Sequence, residues 1–304
     1  MIVGPDIGRA TQRGHTAFER DSAGLWLILA DPWDWGAGGG VATKEDEVGR
    51  CIYCGSTDDL TDEHIIPYGL GSTWVLRKAS CRKCATITGR FEGEVLRPML
   101  GELRAALGMK TRRRSERPTT SRLLLETNGL LQAVSMPVKD CVQVLPLPVF
   151  PPPGYSEGRS LDEKLRVQQI ELNTVRASKS KALGKDRGAD AIRRPFSCRS
   201  FAFAQLICKI AHAAAVDLCG LDSFGQFYLL QTLLEADDHV GFFVGSGRLA
   251  SQPATGDHSV GVYSNEGGFV VAQVDLFLPI AGTSYLALVG RLRKPKERQG
   301  EVKR

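Results

Sequence analysis

Two pairs of closely spaced cysteines constrain this chain more than any other feature. Cys51 and Cys54 form one CxxC pair, Cys81 and Cys84 form the other, and 26 residues separate the pairs. Each pair fits a tight turn and offers two thiolates, so that together they complete a tetrahedral site for Zn²⁺. Because four protein ligands leave no open position, we predict a structural zinc ion that stabilises a segment too small to hold a core of its own.

The remaining four cysteines have no ligand-like spacing and are predicted to be small buried side chains: Cys141, Cys198, Cys208 and Cys219. Disulfides are disfavoured because the chain has the features of an intracellular protein. A redox role for either CxxC pair is also disfavoured, since neither pair is predicted to follow a strand and open a helix.

Composition places the chain among globular proteins. Of 304 residues, 42% are hydrophobic and 24% are charged, which excludes wholesale disorder and fibrous classes and allows a sizeable core. No unbroken apolar run approaches the roughly 18–20 residues of a membrane span. Residues 1–13 lack the basic start and apolar stretch of a secretory signal. We expect a cytoplasmic protein with no membrane contact.

Positive charge is concentrated in three blocks. Seven basic and two acidic residues lie in Gly101–Arg122, eight and two in Arg176–Arg199, and seven and two in Arg291–Arg304. Ser200–Gly290, in contrast, holds two basic and eight acidic residues. Basic blocks of this kind often face phosphate groups, and the alternative is a solvated face or a tail.

The pattern along the chain divides it into five parts. We predict a weakly ordered extension (1–49), a compact motif region (50–107), a basic connecting region (108–199), a C-terminal region (200–290) and a charged tail (291–304). Phe91–Leu107 has a helical apolar rhythm that Pro98 interrupts. Asn128-Gly129 predicts a hairpin between two apolar runs, and the proline-rich stretch Val142–Gly154 predicts an extended connector.

The region after residue 158 reads as helices followed by strands. Helices are predicted at Leu161–Gln168, Phe201–Leu218 and Phe224–Leu234. Strands with glycine-rich joints are predicted at Val240–Val244, Ser259–Tyr263, Phe269–Phe277 and Ser284–Val289.

The stretch between the cysteine pairs has a specific resemblance. It reads Asp62-Glu63-His64-Ile65-Ile66-Pro67, followed by the turn Gly69-Leu70-Gly71 and by Ala79-Ser80-Cys81. This motif, over residues 50–95, resembles the HNH endonucleases (ββα-metal nucleases), in particular the zinc-bearing subgroup. The resemblance implies a small zinc-stapled ββα-metal domain. With the helices and strands predicted after residue 200, the fold class is α+β: this domain is followed by a mixed C-terminal region with a helix pair and a small antiparallel sheet.

The same resemblance implies roles for the acidic-histidine pair. It makes His64 the general base that takes a proton from water, and Glu63 the ligand of Mg²⁺ or another divalent ion. Consecutive strand residues point to opposite faces, so that a bulge or a strand end is needed for both to face one phosphate. Asp62 shares a face with His64 and is the alternative ligand; the sequence leaves this choice open.

One position departs from the family's pattern. Ala85 stands directly after the last cysteine, where the family usually has an Asn or His that binds the metal from the helix. Glu92 lies seven residues further, about two helical turns, and is a possible ligand instead. Catalysis is therefore expected to be metal-poor, rearranged or lost, and we prefer an active enzyme because the acidic-histidine block is intact.

The basic run after the motif suggests the partner. Lys110, Arg112, Arg113, Arg114 and Arg117 are positioned to grip a phosphate backbone without reading its sequence. The resemblance implies DNA, and nothing in the sequence distinguishes RNA from it. The first hypothesis is a metal-dependent endonuclease, and the second is a catalytically impaired, zinc-stabilised nucleic-acid-binding module. The third is an interaction protein whose acidic Ser200–Gly290 region binds a partner.

Overall fold

The computed structural model describes residues 17–20, 26–29, 47–176, 179–249 and 257–293, the first two ranges by their backbone alone. The described strands are β1 (Ala17–Arg20), β2 (Trp26–Leu29), β3 (Leu60–His64), β4 (Val75–Cys81), β5 (Thr120–Thr127), β6 (Leu130–Pro137), β7 (Gln143–Val149), β8 (Gln169–Arg176), β9 (Ala191–Arg193), β10 (Phe224–Phe227), β11 (Val244–Ser246), β12 (His258–Ser264), β13 (Phe269–Leu276) and β14 (Ser284–Leu292). The described α-helices are α1 (Arg82–Glu94), α2 (Gly101–Ala106), α3 (Gly154–Glu157), α4 (Ser180–Asp186), α5 (Ser200–Cys219) and α6 (Leu230–Glu235). The predicted α+β class is confirmed.

The motif region is a hairpin that leads directly into a helix. β3 and β4 pair antiparallel, and α1 begins after Cys81, whose Sγ accepts a hydrogen bond from the Cys84 backbone N–H. A π-helical turn, Val95–Met99, separates α1 from α2 and contains Pro98. Because proline has no N–H, it cannot continue the helical hydrogen bonds at this point. The predicted helical rhythm with a break at Pro98 is confirmed.

The connecting region contains the predicted hairpin. β5 and β6 pair from Thr120↔Pro137 to Thr127↔Leu130, and β9 pairs with the other edge of β5. The two turn residues, Asn128 and Gly129, have positive φ values of 50° and 77°. Both signs match a type I′ turn, which the Asn-Gly pair favours and which follows the twist of the strands.

The proline-rich stretch is extended, as predicted, and forms a strand. β7 pairs antiparallel with β8 over its whole length, including Pro146↔Leu172 and Pro148↔Ile170. The helix predicted at Leu161–Gln168 is wrong, because this segment contains no helical turn. Its backbone forms hydrogen bonds outside the segment: Leu165 N–H donates to the Asp238 backbone carbonyl, and Gln168 N–H donates to the Val149 backbone carbonyl. Leu161 stays 65% exposed, while Leu165 packs against the core from an extended segment.

α5 is the central helix of the molecule. It is twenty residues long, confirms the predicted helix, and is buried from Ala202 to Val216. It packs against β12, β13 and β14 on one side and against α1 on another. Length and composition alone would let it cross a membrane, but fifteen of its twenty residues are buried inside the protein. This burial is typical of a core helix.

The C-terminal strands form an antiparallel sheet of seven members. Its order is β1-β2-β12-β13-β14-β10, and β11 also pairs with β14. The predicted strands at 259–263, 269–277 and 284–289 are confirmed as β12, β13 and β14. The sheet gains β1 and β2 from the region predicted as an extension; the rest of residues 1–46, and residues 294–304 of the predicted tail, lie outside the described residues.

Two predictions in this region are wrong in part. The helix predicted at Phe224–Leu234 is a strand over β10 and a helix only in α6. β10 is extended because it pairs with the end of β14, and its Phe224 and Phe227 rings stack 4.5 Å apart. The strand predicted at Val240–Val244 is mostly a turn, and the strand β11 starts at Val244. Here Gly241 fits closely against the Lys164 carbonyl, where a Cβ atom would lie 2.7 Å away.

One hydrophobic core joins the motif region to the C-terminal sheet. Buried side chains from Cys51 to Val289 form a single cluster, in which α5 lies between the two regions. The predicted domain limits stay a prediction, but the residues of 50–107 and 200–290 bury their apolar surface against each other. The motif region is therefore positioned by α5.

Candidate functional site

The four predicted zinc ligands meet at the end of the β3–β4 hairpin. Their Sγ atoms all lie within 4.8 Å of one another, and the Cys54 and Cys81 sulfurs are 3.6 Å apart. Cys51, Cys81 and Cys84 are buried, whereas Cys54 is exposed. Four converging thiols are the donor set that Zn²⁺ prefers, and the residues fit a closed tetrahedral site.

The second cysteine pair, Cys81 and Cys84, lies between a strand and a helix, which contradicts the prediction. Cys81 ends β4 and α1 follows it, so that this pair does follow a strand and open a helix. The prediction that neither pair follows a strand and opens a helix is therefore wrong, and it does not exclude a redox role. The clustering of all four sulfurs is the better argument, because a redox pair needs two cysteines and the cluster places four together.

The three consecutive residues Asp62, Glu63 and His64 of β3 differ in their exposure to solvent. The register of the hairpin shifts between Thr61 and Glu63, which is a bulge, and His64 is also the last residue of the strand. Asp62 at the bulge is exposed and accepts a hydrogen bond from the Lys78 backbone N–H at 3.1 Å. Glu63 is buried, and His64 ends the strand half-buried.

His64 lies in a groove between β3, α1 and the segment after α2. The groove has a volume of about 470 Å³ and is also lined by Tyr68, Ala85 and Arg112. Within the part of the chain that the structure describes, neither ring nitrogen of His64 has a hydrogen-bond partner, and the Tyr68 ring meets it edge-on at 5.9 Å. Burial lowers the pKa of His64, and the positive charges of Arg112 and Lys209 lower it further. The ring is therefore neutral at pH 7 and able to accept a proton.

A buried lysine lies behind two of the residues that line this groove, Glu63 and Glu92. The Nζ atom of Lys209, on α5, lies 2.7 Å from Glu63 Oε1 and 2.9 Å from Glu92 Oε1. It also donates to the backbone carbonyl of His64. Burial alone would lower the pKa of Lys209, but the Glu92 and Glu63 carboxylates together raise it above its ordinary value. The lysine is therefore a charged group in the interior.

Sequence reasoning missed Lys209, although a signal was present. It is the one lysine or arginine in α5, a helix whose other residues are mostly apolar or small. A charge in such a helix has to be paired, because an unpaired buried ammonium group is costly. The pattern indicates that a partner exists but does not show which carboxylates supply it.

The predicted ligands of a divalent ion do not converge. Among the described residues, only two groups bring three or more ligand atoms within 4.8 Å: the four cysteines, and Asp237, Asp238 and His239, of which the last two are exposed. Glu63 and Glu92 both hold Lys209, Asp62 is exposed at the groove and binds the Lys78 backbone N–H, and Ala85 offers no ligand atom. The residues as arranged do not fit a catalytic divalent ion. The assignment of Asp62, Glu63 and Glu92 as its ligands stays a prediction.

The basic run supplies two cations beside the groove. Lys110 Nζ and the Arg112 guanidinium lie 5.7 Å and 5.9 Å from the centre of the Tyr68 ring. Arg114 and Arg117 line an adjoining hollow of about 420 Å³. Arg113 instead pairs with Glu116 at 2.9 Å, and Arg117 also donates to the Met109 carbonyl. The predicted basic residues therefore lie next to His64, with Arg113 partly neutralised.

The second basic block is used differently. Arg194 pairs with Glu102 at 2.5 Å, Arg193 with Glu126 at 2.6 Å and Lys179 with Asp140 at 3.1 Å. These pairs join β9 and α4 to neighbouring elements. They offset positive charge that the sequence alone would assign to a nucleic-acid surface.

One segment of the chain matches a known protein family. Residues 51–98 match the model of a family described as HNH endonuclease. Searches of curated proteins and of solved structures find no match to this chain. The matched segment contains the four cysteines, the acidic-histidine strand and Glu92, and it ends before Lys110–Arg117 and before Lys209.

Proposed function

We propose, from the premise that residues 51–98 of this chain belong to the HNH endonuclease family, that the chain hydrolyses phosphodiester bonds of DNA in the groove beside His64. The observation that carries this proposal is the state of the His64 ring. It is half-buried, has no hydrogen-bond partner among the described residues, and faces a groove rimmed by Arg112. A neutral imidazole next to a cation suits proton transfer at a phosphate.

The chain's own residues supply a simple sequence of steps. Lys110, Arg112 and Arg114 bind the phosphate backbone and hold it against the groove. His64 takes a proton from a water molecule as the water oxygen forms its bond to phosphorus. The opposite phosphorus–oxygen bond then breaks, and the leaving oxygen takes a proton from solvent. Arg112 offsets the negative charge that develops on the phosphate.

The metal ions have separate places in this proposal. Zn²⁺ on Cys51, Cys54, Cys81 and Cys84 has a structural role, because its four protein ligands leave no position for water or substrate. We assign no step to a divalent ion, since Asp62, Glu63 and Glu92 do not converge on one point. A requirement for Mg²⁺ stays a prediction. A reducing, cytoplasmic setting is part of the proposal, and all eight thiols are free.

A second candidate function is favoured by specific contacts. Glu63 and Glu92 are held by Lys209, and Ala85 lines the groove where a ligand would be needed. These contacts favour a zinc-stabilised module that binds nucleic acid and does not cleave it. Both candidates use the same groove, so that binding alone does not separate them.

The deciding experiment is a cleavage assay with a matched histidine control. Supercoiled plasmid and a structured RNA are incubated with zinc-loaded protein in Mg²⁺, in Mn²⁺ and in a short exposure to EDTA. His64→Ala is compared with His239→Ala, which removes an exposed histidine outside the groove. Zinc content and circular dichroism of all proteins are measured in parallel.

The outcomes separate the two candidates. Nicking or linearisation that is lost in His64→Ala and kept in His239→Ala supports the nuclease. Cleavage of RNA alone would replace DNA as the substrate. Salt-sensitive binding without cleavage in any lane, with equal zinc in every protein, would overturn the nuclease and favour the binding module.

A further inference from the structure

The ammonium group of Lys209 occupies a site built by three separate elements. Glu63 comes from β3, Glu92 from α1 and Lys209 from α5. The lysine side chain is fully buried, while the Glu63 side chain is 7% and the Glu92 side chain 23% exposed. The site therefore lies between the floor of the groove and the core of the molecule.

All hydrogen-bonding capacity of the ammonium group is used here. An ammonium has three N–H donors. Lys209 directs them to Glu63, to Glu92 and to the His64 carbonyl, and the Ile65 carbonyl lies 3.4 Å away. No donor remains unsatisfied, which is the condition for keeping a charge in a protein interior.

Lys209 lies in a buried, apolar part of α5. Its neighbours Cys208 and Ile210 are fully buried, and α5 packs on the sheet and on α1. A divalent ion between Glu63 and Glu92 would have to drive the ammonium group into apolar surroundings. Charge repulsion and the loss of three hydrogen bonds both oppose this exchange.

We infer that Lys209 is the resident cation of this site, and that Glu63 and Glu92 bind its ammonium group in place of a divalent metal ion. Its hydrogen bond to the His64 carbonyl also joins the end of β3 to α5. This inference rests on the proposed function for its meaning in catalysis, but it is tested without nucleic acid.

The test is a titration of zinc-loaded protein with Mn²⁺, with free Mn²⁺ measured by electron paramagnetic resonance. Asp237→Asn and Asp238→Asn are present in every protein, so that the exposed acidic cluster contributes no binding. The parent is compared with Glu63→Gln, Glu92→Gln, Asp62→Asn and Lys209→Met. Zinc content and circular dichroism confirm that each protein is folded.

We expect Glu63→Gln and Glu92→Gln to leave Mn²⁺ binding unchanged. Lys209→Met exposes two carboxylates to each other, and we expect it to bind Mn²⁺ about tenfold more tightly than the parent. Adding Glu92→Gln to Lys209→Met should remove this gain. Binding that depends on Asp62 alone would also agree with the inference, because Glu63 and Glu92 would still hold the lysine.

A tight Mn²⁺ site in the parent that weakens about tenfold in Glu63→Gln or Glu92→Gln would overturn the inference. If Lys209→Met does not fold, the parent and the two glutamine variants decide the question by themselves. Since the titration contains no substrate, a chain that fails to cleave DNA but shows the expected Mn²⁺ pattern would contradict the proposed function alone.

Discussion

The two charged clusters of the motif region are held together in opposite ways. The four cysteines lie within 34 residues of chain, include the exposed Cys54, and need an added metal ion to balance their charge. The Lys209 cluster joins residues that are about 145 positions apart, lies in the core, and contains its own cation. The first cluster fixes a local fold, and the second fixes that fold to α5. The motif region therefore depends on both a metal and a distant helix.

The largest effect is expected from breaking the metal cluster. Replacing Cys84 by Ala leaves three ligands, and we expect the region around β3, β4 and α1 to lose its fixed structure. Structural zinc sites of this kind contribute on the order of 10 kcal/mol of apparent binding free energy. Zinc content by mass spectrometry and limited proteolysis measure the effect. Cys198→Ala, which lies outside the cluster, is the control and should keep zinc and protease resistance.

Breaking the second cluster should cost less and be repairable. Lys209→Met leaves the buried Glu63 carboxylate and the partly buried Glu92 carboxylate without a cation, and we expect the free energy of unfolding to fall by about 3–5 kcal/mol. The triple variant with Glu63→Gln and Glu92→Gln should recover most of this loss, because it also removes the carboxylates. Urea unfolding followed by circular dichroism provides the values.

The exposed Lys185→Met is the matched control for this prediction and should change stability little. Equal losses in the triple variant and in Lys209→Met would show that packing of the lysine stem, and not its charge, stabilises the cluster. In that case the contrast between the two clusters would no longer rest on an internal cation.

A third effect links the clusters through pH. His212 lies one turn after Lys209 on α5, and its Nε2–H donates to the Ile52 carbonyl, between the first two cysteines, at 2.9 Å. Burial lowers the pKa of His212 to about 4. Protonation therefore favours the unfolded chain, where the pKa is about 6.5. The stabilisation is complete above about pH 6.5 and falls by about 3 kcal/mol as the pH drops to about 4.

The measurement is thermal unfolding from pH 7.5 to pH 4.5 for the parent and for His212→Gln. The variant is less stable at neutral pH but should lose less stability as the pH falls. Protonation of carboxylates and of zinc ligands acts on both proteins, so that the difference between the curves isolates His212. Parallel curves would show that His212 does not titrate between these pH values.

The same contrast explains which features the sequence alone predicts. CxxC spacing, the Asn-Gly turn and the apolar rhythm of α5 are local patterns, and the structure confirms each of them. Lys209 and β10 depend on partners far along the chain. The apolar spacing of Phe224–Leu234 fits a helix, and only the free edge of β14 makes its first residues a strand. Contacts between residues that are far apart in the chain therefore limit how much of the fold and of the site can be predicted from the sequence.

The smallest effect is expected at the rim of the groove, where one of two neighbouring arginines forms an ion pair with a glutamate and the other does not. Arg112 lies beside Tyr68 and His64, whereas Arg113 pairs with Glu116. Arg112→Ala should weaken binding of a fluorescent DNA oligonucleotide several-fold and lower the slope of log affinity against log salt by about one.

Arg113→Ala should change both the affinity and the slope less, because Glu116 already offsets the charge of Arg113. Anisotropy titrations at four salt concentrations measure the two slopes. If both variants bind equally weakly, the ion pair with Glu116 does not withhold Arg113 from the phosphate backbone, and the rim acts as a uniform basic surface.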